Sequence, residues 1–397
     1  MSEPSQTDWA LTELGELTEI TLGGTPSTGI PAYWGGTVPW MSSGDVHKKI
    51  IDSVPGRIST LGLESSNARL VSPPAVAIAL AGQGKTRGTA ALVQTTLSTN
   101  QSVALLRPID ERLDARYLYF NLDHRYDELR NRSMGGGRAG LSGAVLARVP
   151  IALPPRDVQL QISRILESLD AQIRGTRRIV DKLRQVRVAV LNQFVDELGG
   201  QRVLSLAELC TADIRYGIVQ SGDFVADGVP VLAIKDLGGD FETGLHRTAA
   251  AIDARYRRSR VAPRDVLLSI KGTIGRVGVV PDHYRGNISR EIARLRFSPA
   301  MHPHFAQQYL LSEHAQRQLA LAVVGTTRAE ISIHVLRRFR FPVPDLELQR
   351  KIVAGMKRVD DAIRSEEMTL RKLEALRVGL ARDLLTGRVR VTVEAAS

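Results

Sequence analysis

Arg, Lys, Gln and Thr residues gather on glycine-bounded loops of this sequence, where they could bind a polyanion. Such cations neutralise phosphates and release counterions, and Arg or Gln can also make paired hydrogen bonds to base edges. For any single residue, a solvated basic face is the alternative interpretation. The candidates for DNA contact are Lys48, Lys49, Gln83, Lys85, Thr86, Arg87, Arg132 and Arg138 in the first half, and Arg255, Arg257, Arg258, Arg260, Lys271, Thr273, Arg276, Arg290 and Arg328 in the second.

The motif search predicts no catalytic residue, no metal site and no cofactor bound by this chain. Gly84-Lys85-Thr86 ends like a phosphate-binding loop, but Ala79 stands where that loop needs a glycine. No dinucleotide-binding glycine fingerprint, nucleophile elbow or Pro-Pro-aromatic loop of amino-methyltransferases occurs. His302-Pro303-His304 lacks partners at metal-ligand spacing.

Composition narrows the class of protein and its compartment. The 397 residues carry a net charge of +11, and residues 201–340 hold most of it, with 20 basic and 13 acidic residues. This surplus favours a polyanionic partner. The lone Cys210 excludes a disulfide framework, indicates a reducing cytoplasm and is expected to be a buried, inert thiol. The apolar runs are too short to span a membrane, and the first residues do not resemble a secretory signal.

The chain repeats itself at an offset of 190 residues. Each half has a variable block followed by a closely matched segment, which predicts blocks at 1–150 and 201–340, a central helix in 151–200, and a distal helix with a tail in 341–397. Strands are expected at Ala75–Leu80, Ser102–Leu106, Val229–Ile234, Val266–Ile270 and Val277–Val280, and helices at Ala115–Leu129 and Phe305–Leu321. Matching pairs include Ser142/Ser332, Gln159/Gln349, Asp170/Asp360 and Arg187/Arg377.

A heptad seam in each matched segment predicts two long helices of about 40 residues, or about 60 Å. Prolines precede each helix, and Gly199-Gly200 or Gly387 follows it. The seam positions are Ile162, Leu166, Leu169, Ile173, Val180, Leu183 and Val190, then Ile352, Met356, Val359, Ile363, Leu370, Leu373 and Leu380.

Two matched breaks in the seams suggest how the helices meet. The breaks fall at Thr176/Glu366 and Arg187/Arg377. Pseudo-twofold symmetry favours an antiparallel coiled coil in which Val180 faces Leu373, Arg187 pairs with Glu366, and Thr176 lies opposite Arg377. Packing of each helix against its own block is the alternative.

Local motifs along the whole chain resemble the specificity (S) subunit of type I restriction-modification enzymes. Gly23-Gly24-Thr25-Pro26-Ser27, Tyr33-Trp34-Gly35-Gly36 and Val38-Pro39-Trp40-Met41 resemble the family's opening of a target recognition domain. Leu153-Pro154-Pro155 resembles its entry to the spacer helix, and the stretch from Leu384 to Arg390 resembles its ending. The second block departs from this pattern, since it has Tyr216-Gly217-Ile218 instead of the glycine-rich opening.

The resemblance implies a fold, a role and a set of partners. The fold would be mixed α/β (α+β), with two pseudo-repeated target recognition domains joined by the antiparallel helices. The chain itself would not be an enzyme. Each domain would read one half of a bipartite, asymmetric double-stranded DNA site, and the helix pair would set the gap. Two methylation (M) subunits, which use S-adenosylmethionine, and restriction (R) subunits, which use ATP and Mg²⁺, would assemble with it.

Three other functions compete with this interpretation. A solitary methyltransferase would need a cofactor motif, which the sequence lacks. A stand-alone DNA-binding regulator would bind its site tightly without any M-type partner. A coiled-coil scaffold unrelated to DNA would have no affinity for nucleic acid.

Overall fold

A computed structural model describes residues 9–82, 84–132, 141–325 and 329–391. Three predicted DNA contacts, Gln83, Arg138 and Arg328, lie outside these residues. The chain forms two compact units: unit 1 comprises Met1–Thr176 with Thr369–Ser397, and unit 2 comprises Arg177–Met368. This division cuts through both long helices, and the boundaries at 150, 200 and 340 stay predictions.

Unit 1 is built on a five-stranded and a three-stranded sheet. Its strands are β1 (Ala10–Glu13), β2 (Thr18–Leu22), β3 (Trp34–Met41), β4 (Ile50–Ile51), β5 (Arg57–Ile58), β6 (Ala75–Ala79), β7 (Ala90–Val93), β8 (Ser98–Thr99), β9 (Val103–Pro108) and β10 (Pro150–Leu153). The larger sheet has the order β2-β9-β6-β7-β4, β1 pairs with β10, and β3 lies between β5 and β8. β6 and β7 are buried along their whole length, which explains their apolar residues.

Unit 2 repeats this plan on a smaller scale. Its strands are β11 (Val203–Ser205), β12 (Arg215–Tyr216), β13 (Val229–Leu232), β14 (His246–Thr248), β15 (Val266–Ser269), β16 (Val277–Val279), β17 (Asn287–Ile288), β18 (Ile292–Leu295) and β19 (Arg340–Pro342). The sheets have the orders β12-β18-β15-β16, β14-β13-β17 and β11-β19. In both units the central strand of the three-stranded sheet has one antiparallel and one parallel neighbour. The weakly matched blocks therefore share a topology, and the predicted strands are confirmed.

Short helices cover these sheets, and each of the two predicted helical stretches is divided into two helices. The helices are α1 (Leu14–Leu17), α2 (Thr60–Glu64), α3 (Ala115–His124), α4 (Tyr126–Asn131), α5 (Gly143–Ala147), α7 (Leu206–Leu209), α8 (Ala250–Arg255), α9 (Pro303–Leu311), α10 (Glu313–Leu321) and α11 (Ile333–Arg337), with the long helix α6 (Arg156–Asp196) between α5 and α7. The stretches predicted to be helical, 115–129 and 305–321, are confirmed as helical, but each of them consists of two helices. Arg125 interrupts the first, where its guanidinium binds the Pro150 carbonyl at 2.7 Å. Ser312 interrupts the second with an extended backbone and caps α10.

The two long helices are confirmed. They are α6, of 41 residues, and α12 (Leu346–Leu385), of 40 residues. Gly200 (φ +86°) and Gly387 (φ +71°) follow them in the left-handed conformation that glycine adopts easily. No helix in the described ranges offers the sustained apolar length that crossing a bilayer requires.

Each unit contains one half of both helices, packed against its block. In unit 1, Ile162 and Leu166 of α6 share a core with Leu384 of α12 and Tyr117 of α3. In unit 2, Leu191 of α6 shares a core with Met356 of α12. Within each unit the helices therefore pack on each other, as predicted, and also on the block, which was the alternative. Of the seam positions, Ile162, Leu166, Leu169, Ile173, Val180, Ile352, Met356 and Ile363 are buried, and Leu183, Val190, Val359, Leu370, Leu373 and Leu380 are half-buried.

The helices run antiparallel within each unit, but the predicted polar register is wrong. Arg187 donates to Asp360, at 2.6 Å, and not to Glu366. Arg184 forms the neighbouring cross-helix pair, with Glu367 at 2.7 Å. A heptad pattern determines which faces meet, but apolar side chains pack at more than one axial offset. The aspartates, which the repeat had matched without assigning them a role, are the partners of the two arginines at the observed offset.

Candidate nucleic-acid interface

In unit 1, the loop after β6 contacts two other segments that carry polar side chains. His47 Nε2 lies 3.1 Å from Thr86 Oγ1. The Lys85 carbonyl accepts hydrogen bonds from the Tyr126 hydroxyl at 3.2 Å and from the Thr89 hydroxyl at 2.8 Å. The structure therefore brings the predicted loop together with the turn that contains His47 and with the start of α4. Lys85 is exposed, and Thr86 and Arg87 are half-buried.

Three other predicted contacts of unit 1 already hold acidic partners. The charges of Lys48, Lys49 and Arg132 are partly neutralised, which lowers what each could add to phosphate binding. The sequence could not show whether these cations are free to bind phosphate, because their acidic partners lie up to 74 positions away in the chain. The ion pairs are Lys48–Asp45 (3.4 Å), Lys49–Asp123 (2.7 Å) and Arg132–Glu128 (2.8 Å).

Unit 2 presents cations that have no acidic partner among the residues that the structure describes. Arg255, Arg257, Arg258 and Arg276 are exposed, and none forms an ion pair with any residue that the structure describes. Thr273 is also exposed on the loop that carries Arg276. Arg260 is different, because both its Nε and Nη2 donate to Asp253, whose side chain is only 1% exposed. We therefore regard Arg260 as a structural residue of the same loop.

A buried arginine that sequence reasoning missed supports the Arg257–Arg258 turn. Arg294 lies on β18 and donates to the carbonyls of Arg258 at 2.9 Å, Arg260 at 3.0 Å and Asp213 at 3.1 Å. Burial lowers the pKa of its guanidinium, and the nearby Arg296 adds to the lowering. The one available signal was an arginine inside the apolar run Ile292–Leu295. Its hydrogen bonds fix the turn that exposes the neighbouring cations.

The remaining candidates of unit 2 are each paired with a carboxylate, and one of them, Lys271, lies beside an exposed aromatic ring. Lys271 Nζ is 2.8 Å from Glu330 and 5.6 Å from the centroid of the Tyr216 ring, which is 45% exposed. Arg290 Nε lies 3.1 Å from the carboxylate of Glu291, the next residue in the chain. An exposed aromatic face next to cations can stack on a base or pack against the backbone of a nucleic acid.

Unit 1 also contains a polar groove that sequence reasoning missed. It has a volume of about 710 Å³, and its walls include Thr25, Asn67, Arg69 and Gln101. The Thr25 hydroxyl donates to the Gln101 side chain. Asn, Arg and Gln are the side chains that make paired contacts with base edges. The glycine-rich opening had marked one wall of this groove, but nothing in the sequence connected Asn67 or Gln101 to it.

Two titratable groups show how local contacts set their protonation. A hydrogen bond from Arg125 lowers the pKa of Glu128 to about 2, against the opposing effect of burial, and Arg132 adds to the lowering. Cys210 is half-buried and not fully buried as expected, and burial raises the pKa of its thiol to about 12. Among the residues that the structure describes, no His, Cys, Asp or Glu cluster could hold a metal ion.

Comparison with known proteins identifies the family. The profile of the Type I restriction modification DNA specificity domain matches residues 6–185 and again residues 204–375. The chain belongs to this family. Each match ends within a long helix, so the two copies follow the internal repeat.

Individual relatives agree with this assignment. The chain is 26% identical over 288 residues to the EcoBI specificity subunit of Escherichia coli, which covers 64% of this chain and 60% of that relative. It is 21% identical over 411 residues to the MjaVIII specificity subunit of Methanocaldococcus jannaschii, covering 97% and 93%. A solved chain of a type I R-M system matches with a TM-score of 0.64 at 20% identity, covering 97% of this chain and 100% of that one. The structural likeness shows a shared fold.

Proposed function

We propose that the chain is the DNA specificity subunit of a type I restriction-modification complex. Each block would read one half of a bipartite, asymmetric site, and the helix pair would set the gap between the halves. The observation that carries this proposal is the double family match, with one copy on each block and its following helix. Two readers joined by helices of about 60 Å could reach half-sites more than one DNA turn of about 34 Å apart.

The exposed cations support a DNA-binding role that is divided unequally between the blocks. Three predicted cations are paired with carboxylates in each unit, but unit 2 also presents Arg255, Arg257, Arg258 and Arg276 without acidic partners in the described residues. We infer that the second block supplies the larger share of the salt-dependent phosphate binding. The polar groove at Asn67 and Gln101 is the candidate base-reading surface of the first block.

The chemistry would reside in partner subunits. In this proposal the M subunits bring S-adenosylmethionine, the R subunits bring ATP and Mg²⁺, and this chain directs both to the site in the cytoplasm. Two M subunits fit the pseudo-symmetry, because exposed apolar side chains recur 190 residues apart on the helices. They are Val186 and Val188 on α6, and Leu376 and Val378 on α12.

Methylome sequencing of cells that carry the complete system tests this function. We expect methylation at one sequence of two short specific parts with a fixed gap. Exchange of residues 201–340 for the block of another relative should change one part only. Removal of one heptad from both helices should change the gap and leave both parts as they were. Modified sites without a gap, or a gap unaltered by the heptad deletion, would contradict the proposal. Tight specific binding by the chain alone, with no effect on methylation, would favour a regulator.

A further inference from the structure

Two arginines at matching positions of the repeat each join three elements. Arg187 of α6 donates from Nε to Asp360 of α12 at 2.6 Å and from Nη2 to Gln308 of α9 at 3.0 Å. We call these three residues the Arg187 clasp, and all of them lie in unit 2. The guanidinium thus ties both long helices to the block.

The second arginine makes the same arrangement in unit 1. Arg377 of α12 donates from Nε to Asp170 of α6 at 3.1 Å and from Nη2 to Asp123 of α3 at 2.8 Å. Asp123 also accepts from Lys49 Nζ at 2.7 Å. We call these four residues the Arg377 clasp. Lys49, a predicted DNA contact whose side chain is 44% exposed, is paired with Asp123 in this clasp.

Charge and burial indicate that the residues of each clasp are matched to one another. The Arg377 clasp balances two cations with two carboxylates, and the Arg187 clasp balances one with one, because Gln308 is neutral. The arginine side chains are only 18% and 24% exposed, so their hydrogen bonds are little screened by water. A guanidinium can donate in two fixed directions, whereas an ammonium acts as a point charge.

Gap selection needs control of rotation as well as distance. DNA turns once in about 10–10.5 base pairs, so one added base pair rotates a half-site by about 35°. Apolar packing of a block on the helices opposes separation more strongly than rotation, because it has no directional bonds. Two hydrogen bonds from one fixed guanidinium to a helix and to the block oppose rotation directly.

We propose that Arg187 and Arg377 are positioning residues that fix the orientation of each block on the helix pair and so sharpen the choice of gap length. This inference rests on the proposed bipartite recognition. It assigns gap selectivity to the clasps in addition to the helix length. It also gives Lys49 a role in holding the clasp, not in contacting DNA.

The test uses the full chain co-expressed with its partner subunits and a set of duplexes. The duplexes keep both half-sites, taken from the mapped methylation sites, and vary the gap by one or two base pairs. The variants are Arg377→Gln/Asp170→Asn and Arg187→Gln/Asp360→Asn, which remove one cation with one carboxylate and so leave no new surplus charge. Arg184→Gln is the matched control, since Arg184 pairs across the same helices at a more exposed position.

We expect wild type and Arg184→Gln to prefer one gap strongly. In each clasp variant this preference should fall about tenfold, which is the effect of one missing charge-assisted hydrogen bond. The preference for the half-site sequences should be unchanged. Lys49→Met/Asp123→Asn should lose less, because the amide that this variant introduces can still accept from Arg377 and mimics Gln308. Gap preference equal to that of wild type in folded clasp variants would overturn the inference, and so would an equal loss in Arg184→Gln. A wild-type complex with no gap preference would instead contradict the proposed function.

If either double variant does not fold, the single variants Arg377→Lys and Arg187→Lys keep the charge and decide the matter. An ammonium cannot donate in two fixed directions, to the helix and to the block, as the guanidinium does. These variants should therefore also tolerate neighbouring gap lengths in the DNA. A lysine variant with wild-type gap preference would show that charge alone is enough and would overturn the positioning role.

Discussion

Replacement of Gln159 by Leu should destabilise unit 1 selectively. Gln159 is fully buried at the start of α6 and joins this helix to the block. Its amide nitrogen donates to the Arg112 carbonyl at 2.7 Å and to the Pro154 carbonyl at 2.8 Å, and its oxygen accepts from the Asp114 backbone N–H at 2.9 Å. Leucine fills a similar volume but leaves these three backbone groups unpaired.

The expected magnitude follows from those three hydrogen bonds. Each buried backbone group left without a partner costs about 1 kcal/mol, so Gln159→Leu should lower the free energy of unfolding by about 3 kcal/mol, before a small gain from the added apolar side chain. Gln159→Glu should cost more at neutral pH, because a carboxylate would face two carbonyl oxygens. The same reasoning applies to Gln349, which contacts Ala300, Pro344 and His302 in unit 2.

Tryptophan fluorescence separates the two units in a urea titration. The three tryptophans, Trp9, Trp34 and Trp40, all belong to unit 1. Gln159→Leu should shift the fluorescence transition to lower urea, whereas Gln349→Leu should act mainly on the circular dichroism transition of unit 2. Gln172→Leu, at an exposed position of α6 in unit 1, is the control and should change stability by no more than about 0.5 kcal/mol. A Gln159→Leu variant as stable as this control would refute the assigned role.

Further predictions concern binding, pH and reactivity. Replacement of Arg255, Arg257 and Arg258 by Gln should weaken DNA binding and reduce the slope of log K against log salt by about 0.9 for each phosphate that is no longer neutralised; an unchanged slope would exclude these residues from the interface. Because the folded-state pKa of Glu128 is lowered to about 2, its stabilising contribution is present above about pH 4.5 and is lost as the pH falls towards 2. In acid titrations, Glu128→Gln should therefore destabilise the protein at pH 7 but not near pH 2, by at most about 1 kcal/mol, since its side chain is 40% exposed and solvent screens the ion pair. With its pKa raised to about 12, the half-buried Cys210 thiol should react with Ellman's reagent at pH 8 much more slowly in the native chain than after unfolding, and equal rates would contradict the raised pKa.

Periodic and local features were predictable from the sequence, and long-range partners were not. The seams predicted α6 and α12, and the β-branched runs predicted the buried strands. The breaks at Arg125 and Ser312 were missed, because each depends on hydrogen bonds that the helical periodicity does not reveal. Arg260 looked equivalent to Arg257 in the sequence, and only the fold brings it to the buried Asp253. Similarly, Asn67 and Gln101 become neighbours only when the sheets of unit 1 have formed.

The closely matched residues of the repeat lie where a block joins the helices. Ser142 and Ser332 cap α5 and α11 by accepting from Val145 and Val335, each at 3.3 Å. Gln159 and Gln349 hold the helix starts to their blocks, and the two arginines bind the two matched aspartates. The self-similarity of this chain is therefore strongest at the joint, while the blocks keep their topology and differ in surface.

The clasps suggest a condition for exchanging one block for another. The arginine and the aspartate on the helices repeat, but the acceptor on the block differs, because unit 1 supplies Asp123 with Lys49 and unit 2 supplies neutral Gln308. In either solution the clasp contains equal numbers of cations and carboxylates. A transferred block should therefore function in the other position if it brings its own acceptor complete. A block that carried Asp123 without Lys49 would leave a surplus carboxylate beside the helices, and its attachment should be weaker than that of a block that carries both residues.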